Sequence, residues 1–219
     1  MKVPTAKEFE IYRRVKNYVD DKAALRRYGY LSPGDSVFAR GDAEVVIGGP
    51  DEVFDDVVKY EEGYYQAARE LFEWASDRIE KAWTVYPILF VSRHAVELSL
   101  KKLIVNVFDP PPKKVSNEHD LKALWEMLLN RLKEQYSFAV PRNADLITKI
   151  ISELTEIDPK SMTSRYATEK DFKAASIANK KYLSLRNMQA IVAKLYNELY
   201  SIAHILDEHR LIPELNKSS

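Results

Sequence analysis

Between Pro87 and Phe108 the apolar residues recur with a helical period, and two charged residues share their face. At about 100° per residue, Leu89, Val96, Leu100, Leu103, Ile104 and Val107 fall on one side. Arg93 and Glu97 project into the same arc, while Ala95, Ser99, Lys102 and Asn106 form the opposite, polar side. A charge on a core-facing stripe is costly to desolvate unless it is paired and hydrogen-bonded. The pattern therefore predicts a buried helix with a special polar locus.

The same periodicity predicts further helices. One covers about residues 5–28, with Phe9, Tyr12, Val15, Tyr18 and Val19 on one face. Another covers about 51–85, with Val57, Tyr60, Tyr64, Ala67, Ala68, Leu71, Ala75 and Ile79 as its core positions. Asp109 and the three prolines after it stop the Arg93 helix, because proline removes backbone donors and cannot continue a helical turn. Asp120 is placed to cap a helix from Leu121 to about Tyr136. A helix over about 143–157 stops at Asp158-Pro159, and a last one covers about 182–209 with Leu185, Met188, Val192, Leu195, Leu199, Ile202 and Leu206. Between Gly29 and Pro50, two short β-prone runs flank Gly41-Asp42 and predict a small hairpin. The expected fold is mostly α: an up-and-down helical bundle over 51–212, preceded by an N-terminal helix and β-hairpin over 1–50.

Composition narrows the chemistry. The 33 basic and 33 acidic residues cancel, which argues against a strongly basic nucleic-acid binder while leaving room for a local basic patch. With no cysteine there is no disulfide, thiolate metal site or cysteine nucleophile. Neither a signal-like apolar start nor a run of about 18 apolar residues is present, so a cytoplasmic, non-membrane protein is expected. The histidines at 94, 119, 204 and 209 lack metal-ligand spacing, and no glycine-rich phosphate or dinucleotide loop occurs. No metal and no cofactor is expected.

Three places carry candidate chemistry. Arg93 and Glu97, four apart, are spaced for an ion pair; on an apolar face they form either a structural network or the lining of a pocket. His94, at the edge of the stripe, reads as a packed histidine or a ligand-facing one. His119-Asp120 opens a helix whose positive N-terminus favours neutral imidazole and attracts anions; the alternative is a histidine bonded to a buried carboxylate such as Glu97. Arg165-Tyr166, in an irregular stretch with Ser161, Thr163 and Ser164, offers a guanidinium for phosphate or a partner for Glu97.

The run Phe90-Val91-Ser92-Arg93-His94-Ala95-Val96-Glu97-Leu98, then His119-Asp120-Leu121 through Leu124-Trp125, then Glu156 to Pro159 and Ser164-Arg165-Tyr166, resembles HEPN-type proteins. These are the higher eukaryote and prokaryote nucleotide-binding helical domains, and the resemblance covers roughly residues 55–209. It implies a helical bundle, often a homodimer, of the kind found in prokaryotic toxin–antitoxin and phage-defence systems with an encoded protein partner. Many such proteins are metal-independent ribonucleases that use an arginine, a polar residue and a histidine four to six positions further on. Here Arg186-Asn187 is followed by Ile191, Val192 and Ala193 in that window, and Arg93-His94 by Leu98, Ser99 and Leu100. The resemblance thus implies a degenerate member that binds RNA, a nucleotide or a protein. The alternatives are an endoribonuclease with a rearranged set (Arg93, His94 or His119, Arg165) and a purely structural bundle.

Overall fold

The structure, a computed structural model, describes the backbone of residues 53–75, 84–158 and 183–215, with side chains from 59 to 209 within those stretches. The expected N-terminal helix, the hairpin and Arg165-Tyr166 lie outside the described residues. Five helices and no strand occur among the described residues: α1 (Val53–Ala75), α2 (Val85–Val107), α3 (Leu121–Gln135), α4 (Ala144–Ile157) and α5 (Leu185–Leu215). The protein is mostly α over this part, and no described helix is long and apolar enough to cross a membrane.

The strict alternation of an up-and-down bundle holds at three steps and fails at one. Glu61 lies against Lys102 while Tyr64 lies against His94, so α1 and α2 are antiparallel. Arg131 Nε near the end of α3 donates to Val107 O at the end of α2 (2.9 Å), whereas Arg93 reaches His119 just before α3 begins. Helices α2 and α3 therefore run in the same direction. The physical cause is the connection: Pro110, Pro111 and Pro112 bar a helical turn, and the chain from 108 to 120 travels back along α2 before α3 starts. Arg93 bonds both His119 just before α3 and Asp158 just after α4, so α3 and α4 are antiparallel. Ile157 at the end of α4 packs with Leu185 and Met188 at the start of α5, while Asn143 before α4 meets Glu198 further along α5, so this step is antiparallel too.

The main core joins α2, α3, α4 and α5 through Val96, Leu100, Ile104, Leu124, Trp125, Leu128, Ile151, Leu195 and Leu199. Trp125 is fully buried, and its indole N–H donates to Thr148 Oγ1 at 2.8 Å, so its one polar atom is satisfied. A second cluster packs α1 against the first turns of α2 and α5 through Ala68, Phe72, Ile88, Leu89, Met188 and Val192.

Two expectations are corrected. Ala95 and Ser99, expected on the polar side opposite the core stripe, are buried, because α1 covers that side of α2. Within α1 the inward stripe is Glu61, Ala68, Phe72 and Ala75, whereas Tyr60 is 63% exposed and Ala67 is also exposed. An acidic residue occupies a core position there because Ser99 and Lys102 of α2 satisfy it. Most of the expected α5 series (Met188, Val192, Leu195, Leu199, Ile202 and Leu206) is buried as read from the sequence.

Asp120 caps α3: its Oδ1 accepts from Lys122 N at 2.8 Å and Ala123 N at 3.3 Å. Replacing Asp120 by Ala is expected to lower stability by about 1 kcal/mol and Asp120→Asn by less, since asparagine also caps well. Urea unfolding followed by circular dichroism reads this as a shifted midpoint; equal midpoints for Asp120→Ala and the parent protein would contradict it.

Candidate functional site

Arg93 leaves the third turn of α2 and is 2% exposed. Its guanidinium donates in three directions. Nη1 reaches Glu97 Oε2 at 3.1 Å, one turn along α2. Nε reaches Asp158 O at 2.9 Å, immediately after α4. Nη2 reaches His119 O, just before α3. The planar, rigidly forked donor set of arginine suits such divergent acceptors; the single ammonium of lysine does not.

Glu97 is 1% exposed and is shared among three partners. Its Oε2 takes Arg93, and its Oε1 takes Lys101 Nζ at 3.0 Å and His119 Nδ1 at 2.8 Å. Lys101 Nζ also donates to Ser116 O at 3.2 Å, fastening the returning connection to α2. Burial pushes the Glu97 carboxyl up, but hydrogen bonds and charge from Lys101 and His119 outweigh it and hold it below the ordinary carboxylate range. The carboxylate is therefore ionised at neutral pH although it is sealed from water.

His119 is the most exposed member of this group, with its side chain 56% exposed against 17% for Lys101. Its backbone is held at both ends: the N–H donates to Glu118 Oε1 at 3.0 Å and the carbonyl accepts from Arg93. A carboxylate accepting at Nδ1 fixes that nitrogen as the N–H donor. The ring can then exchange a proton, or make a hydrogen bond, through Nε2.

Arg93, Glu97 and His119 thus come together, whereas the Asp120 side chain turns to the first backbone N–H groups of α3 and takes no part in this network. His94 does not join them: its ring stands edge-on to Tyr64 of α1 at 4.5 Å and stacks on Phe90 at 5.8 Å. Glu97 takes the other histidine because the return of the chain along α2 brings residue 119, not residue 94, to its carboxylate.

A second polar group escaped the sequence reading. Glu61, 6% exposed, accepts from Ser99 Oγ at 2.6 Å and pairs with Lys102 Nζ at 2.5 Å. Beside it Tyr196 stacks on Tyr65 at 3.8 Å between centroids and donates to Glu62 Oε2 at 2.9 Å. Burial first, then the Glu61 charge and the bond to Glu62, push the Tyr196 phenol well above its ordinary range, so it stays protonated. The available signal was the polar Ser99/Lys102 face of α2, which needed a polar counterpart once another helix covered it. Among the described residues, no group of three or more histidine, aspartate or glutamate side chains is placed to hold a metal ion.

Compared with protein-family models, curated proteins and solved structures, the chain finds no match.

A pH dependence follows from Glu97. Its folded-state pKa is depressed, so its ionised form stabilises the fold above the usual value of 4.5, and this stability is lost as pH falls through the lowered folded value. The melting-temperature gap between the parent protein and Glu97→Gln is expected to be widest near neutral pH and to shrink on acidification below pH 4.5. A gap that stays constant from neutral to acid pH would contradict the assignment.

Proposed function

We propose that this chain is a HEPN-like bundle serving as a non-catalytic or degenerate binding member, with RNA or a nucleotide as ligand. In this reading it works as a cytoplasmic homodimer in a prokaryotic defence or toxin–antitoxin setting, alongside a protein encoded nearby. The resemblance of the Arg93-His94-Ala95-Val96-Glu97-Leu98 and His119-Asp120-Leu121 runs supports the family. The observation that carries the non-catalytic part is the burial of Arg93 with its donors committed to three fixed acceptors. Metal-independent RNA cleavage needs a cation on the phosphorane. Withdrawing Arg93 to supply it leaves Glu97 and two backbone carbonyls short of a partner, at a cost of about 3–5 kcal/mol for breaking a buried pair.

One observation favours the ribonuclease alternative: His119 is solvent-facing and oriented by Glu97, as a general base would be. Titration with short RNAs and nucleotides, together with sizing in solution, separates the readings. The expected result is a dimer that binds RNA or a nucleotide and leaves RNA intact in the presence of chelator. Cleavage that disappears in His119→Ala moves the assignment to a ribonuclease. A monomer that binds neither RNA nor nucleotide overturns the binding reading.

A further inference from the structure

We propose that the outer face of α1 docks on the same face of a second copy of this chain, antiparallel, about a two-fold axis between Gly63 and Ala67. The inference rests on the homodimer part of the reading above and locates its contact; it is independent of the RNA or nucleotide part.

Helix α1 turns Glu61, Ala68, Phe72 and Ala75 inward. Its outer positions 60, 63, 67, 70 and 74 are spaced by three and four in strict alternation, the seam by which one helix pairs with another. At about 100° per residue they share one arc about 80° wide. All five residues are exposed, Tyr60 at 63% and Trp74 at 43%, and Glu70 is the one charge among them. Aromatic residues are enriched where proteins meet one another. Gly63 adds a separate observation. It lies in the interior of a 23-residue helix, where glycine is poorly suited. No atom stands within 4 Å of the place its Cβ would take, so packing inside the chain does not demand it. The approach of a second helix does, because small residues at the contact bring two helix axes closer.

The occupant is a second copy because the face is complementary to itself. In a two-fold contact each pair occurs twice, with the roles exchanged. Antiparallel packing sets Gly63 against Ala67 of the partner subunit, so the small residues coincide at the centre. Tyr60 then faces Glu70 of the partner subunit and offers its hydroxyl to a carboxylate that has Arg69 of its own helix at 3.6 Å. The flank beside the seam carries Lys59, Gln66 and Glu73, seven apart. The same packing brings Lys59 beside Glu73 of the partner subunit, twice, with Gln66 beside its own counterpart between them. Flanking charges of this kind set the partner and the direction of paired helices. Parallel packing puts Lys59 beside Tyr64 of the partner subunit and loses both pairs.

The test uses the full chain, sized by sedimentation equilibrium. Ala67→Glu, an exposed change whose fold is checked by circular dichroism, is expected to weaken the dimer by more than about tenfold. Lys59→Glu is expected to weaken it by about tenfold, and adding Glu73→Lys to restore it. Because the chain has no cysteine, Gln66→Cys gives a single thiol, expected to cross-link between copies with a short bis-maleimide. Lys149→Cys, exposed on α4, is expected not to. A dimer that Ala67→Glu leaves intact, or that cross-links no better at 66 than at 149, overturns this inference and leaves the homodimer reading standing. Failure of Glu73→Lys to restore the Lys59→Glu variant overturns the antiparallel pairing. A monomeric parent protein overturns both the inference and the homodimer reading, and leaves the face to a different partner.

Discussion

A buried guanidinium has to find its partners inside the protein, and Arg93 finds them on three separate segments. One acceptor lies on its own helix, one on His119 two residues before α3, and one on the residue following α4. Since α2 and α3 run in parallel, nothing in simple hairpin geometry holds the start of α3 beside the middle of α2. The Arg93 bond to the His119 carbonyl and the Lys101 bond to the Ser116 carbonyl do so. The arrangement of the solvent-facing ring follows from this constraint, because His119 is presented by a loop whose backbone is fastened from within.

Helix α2 is the structural axis, and its composition explains how it is surrounded. Leu100, Leu103 and Ile104 pack into the main core, Ile88 and Leu89 into the smaller one. Its two ionic groups lie on different flanks. Arg93 and Glu97 face the α3 and α4 ends, and Ser99 and Lys102 face Glu61 on α1. Buried ion pairs contribute little net stability against well-packed apolar residues, but they are costly to break singly. Their effect is therefore on register: each charge has one set of partners in this packing, and sliding a helix by one turn would strand it.

Much of this was legible before any coordinates. The apolar period located α2, α4 and α5, the proline triplet marked the end of α2, and Asp120 announced the start of α3. Arg93 and Glu97 stood out because charge on an apolar stripe demands a partner. The partners themselves were not legible. Two of the three acceptors of Arg93 are backbone carbonyls, which every residue carries, so no side-chain pattern points to His119 or Asp158. The parallel course of α3 was hidden for a related reason: the 108–120 connection has no periodicity from which to read its direction. On α1, the run of tyrosines drew the expected core towards Tyr60, whereas a glutamate took the inward position because α2 supplied its hydrogen bonds. His94 and His119 looked comparable in sequence and differ entirely in setting, one ring packed on Tyr64 and Phe90, the other held on a carboxylate.

A double-mutant cycle between Arg93 and Glu97 tests the central claim most directly, with Arg93→Met, Glu97→Met and the double variant unfolded in denaturant. Breaking the pair from the arginine side is predicted to cost about 3–5 kcal/mol. The double variant is predicted to lose less than the sum of the single losses, with a coupling of at least about 1 kcal/mol. A loss below about 1 kcal/mol for Arg93→Met, the range of an exposed ion pair, or strictly additive losses, would contradict the account.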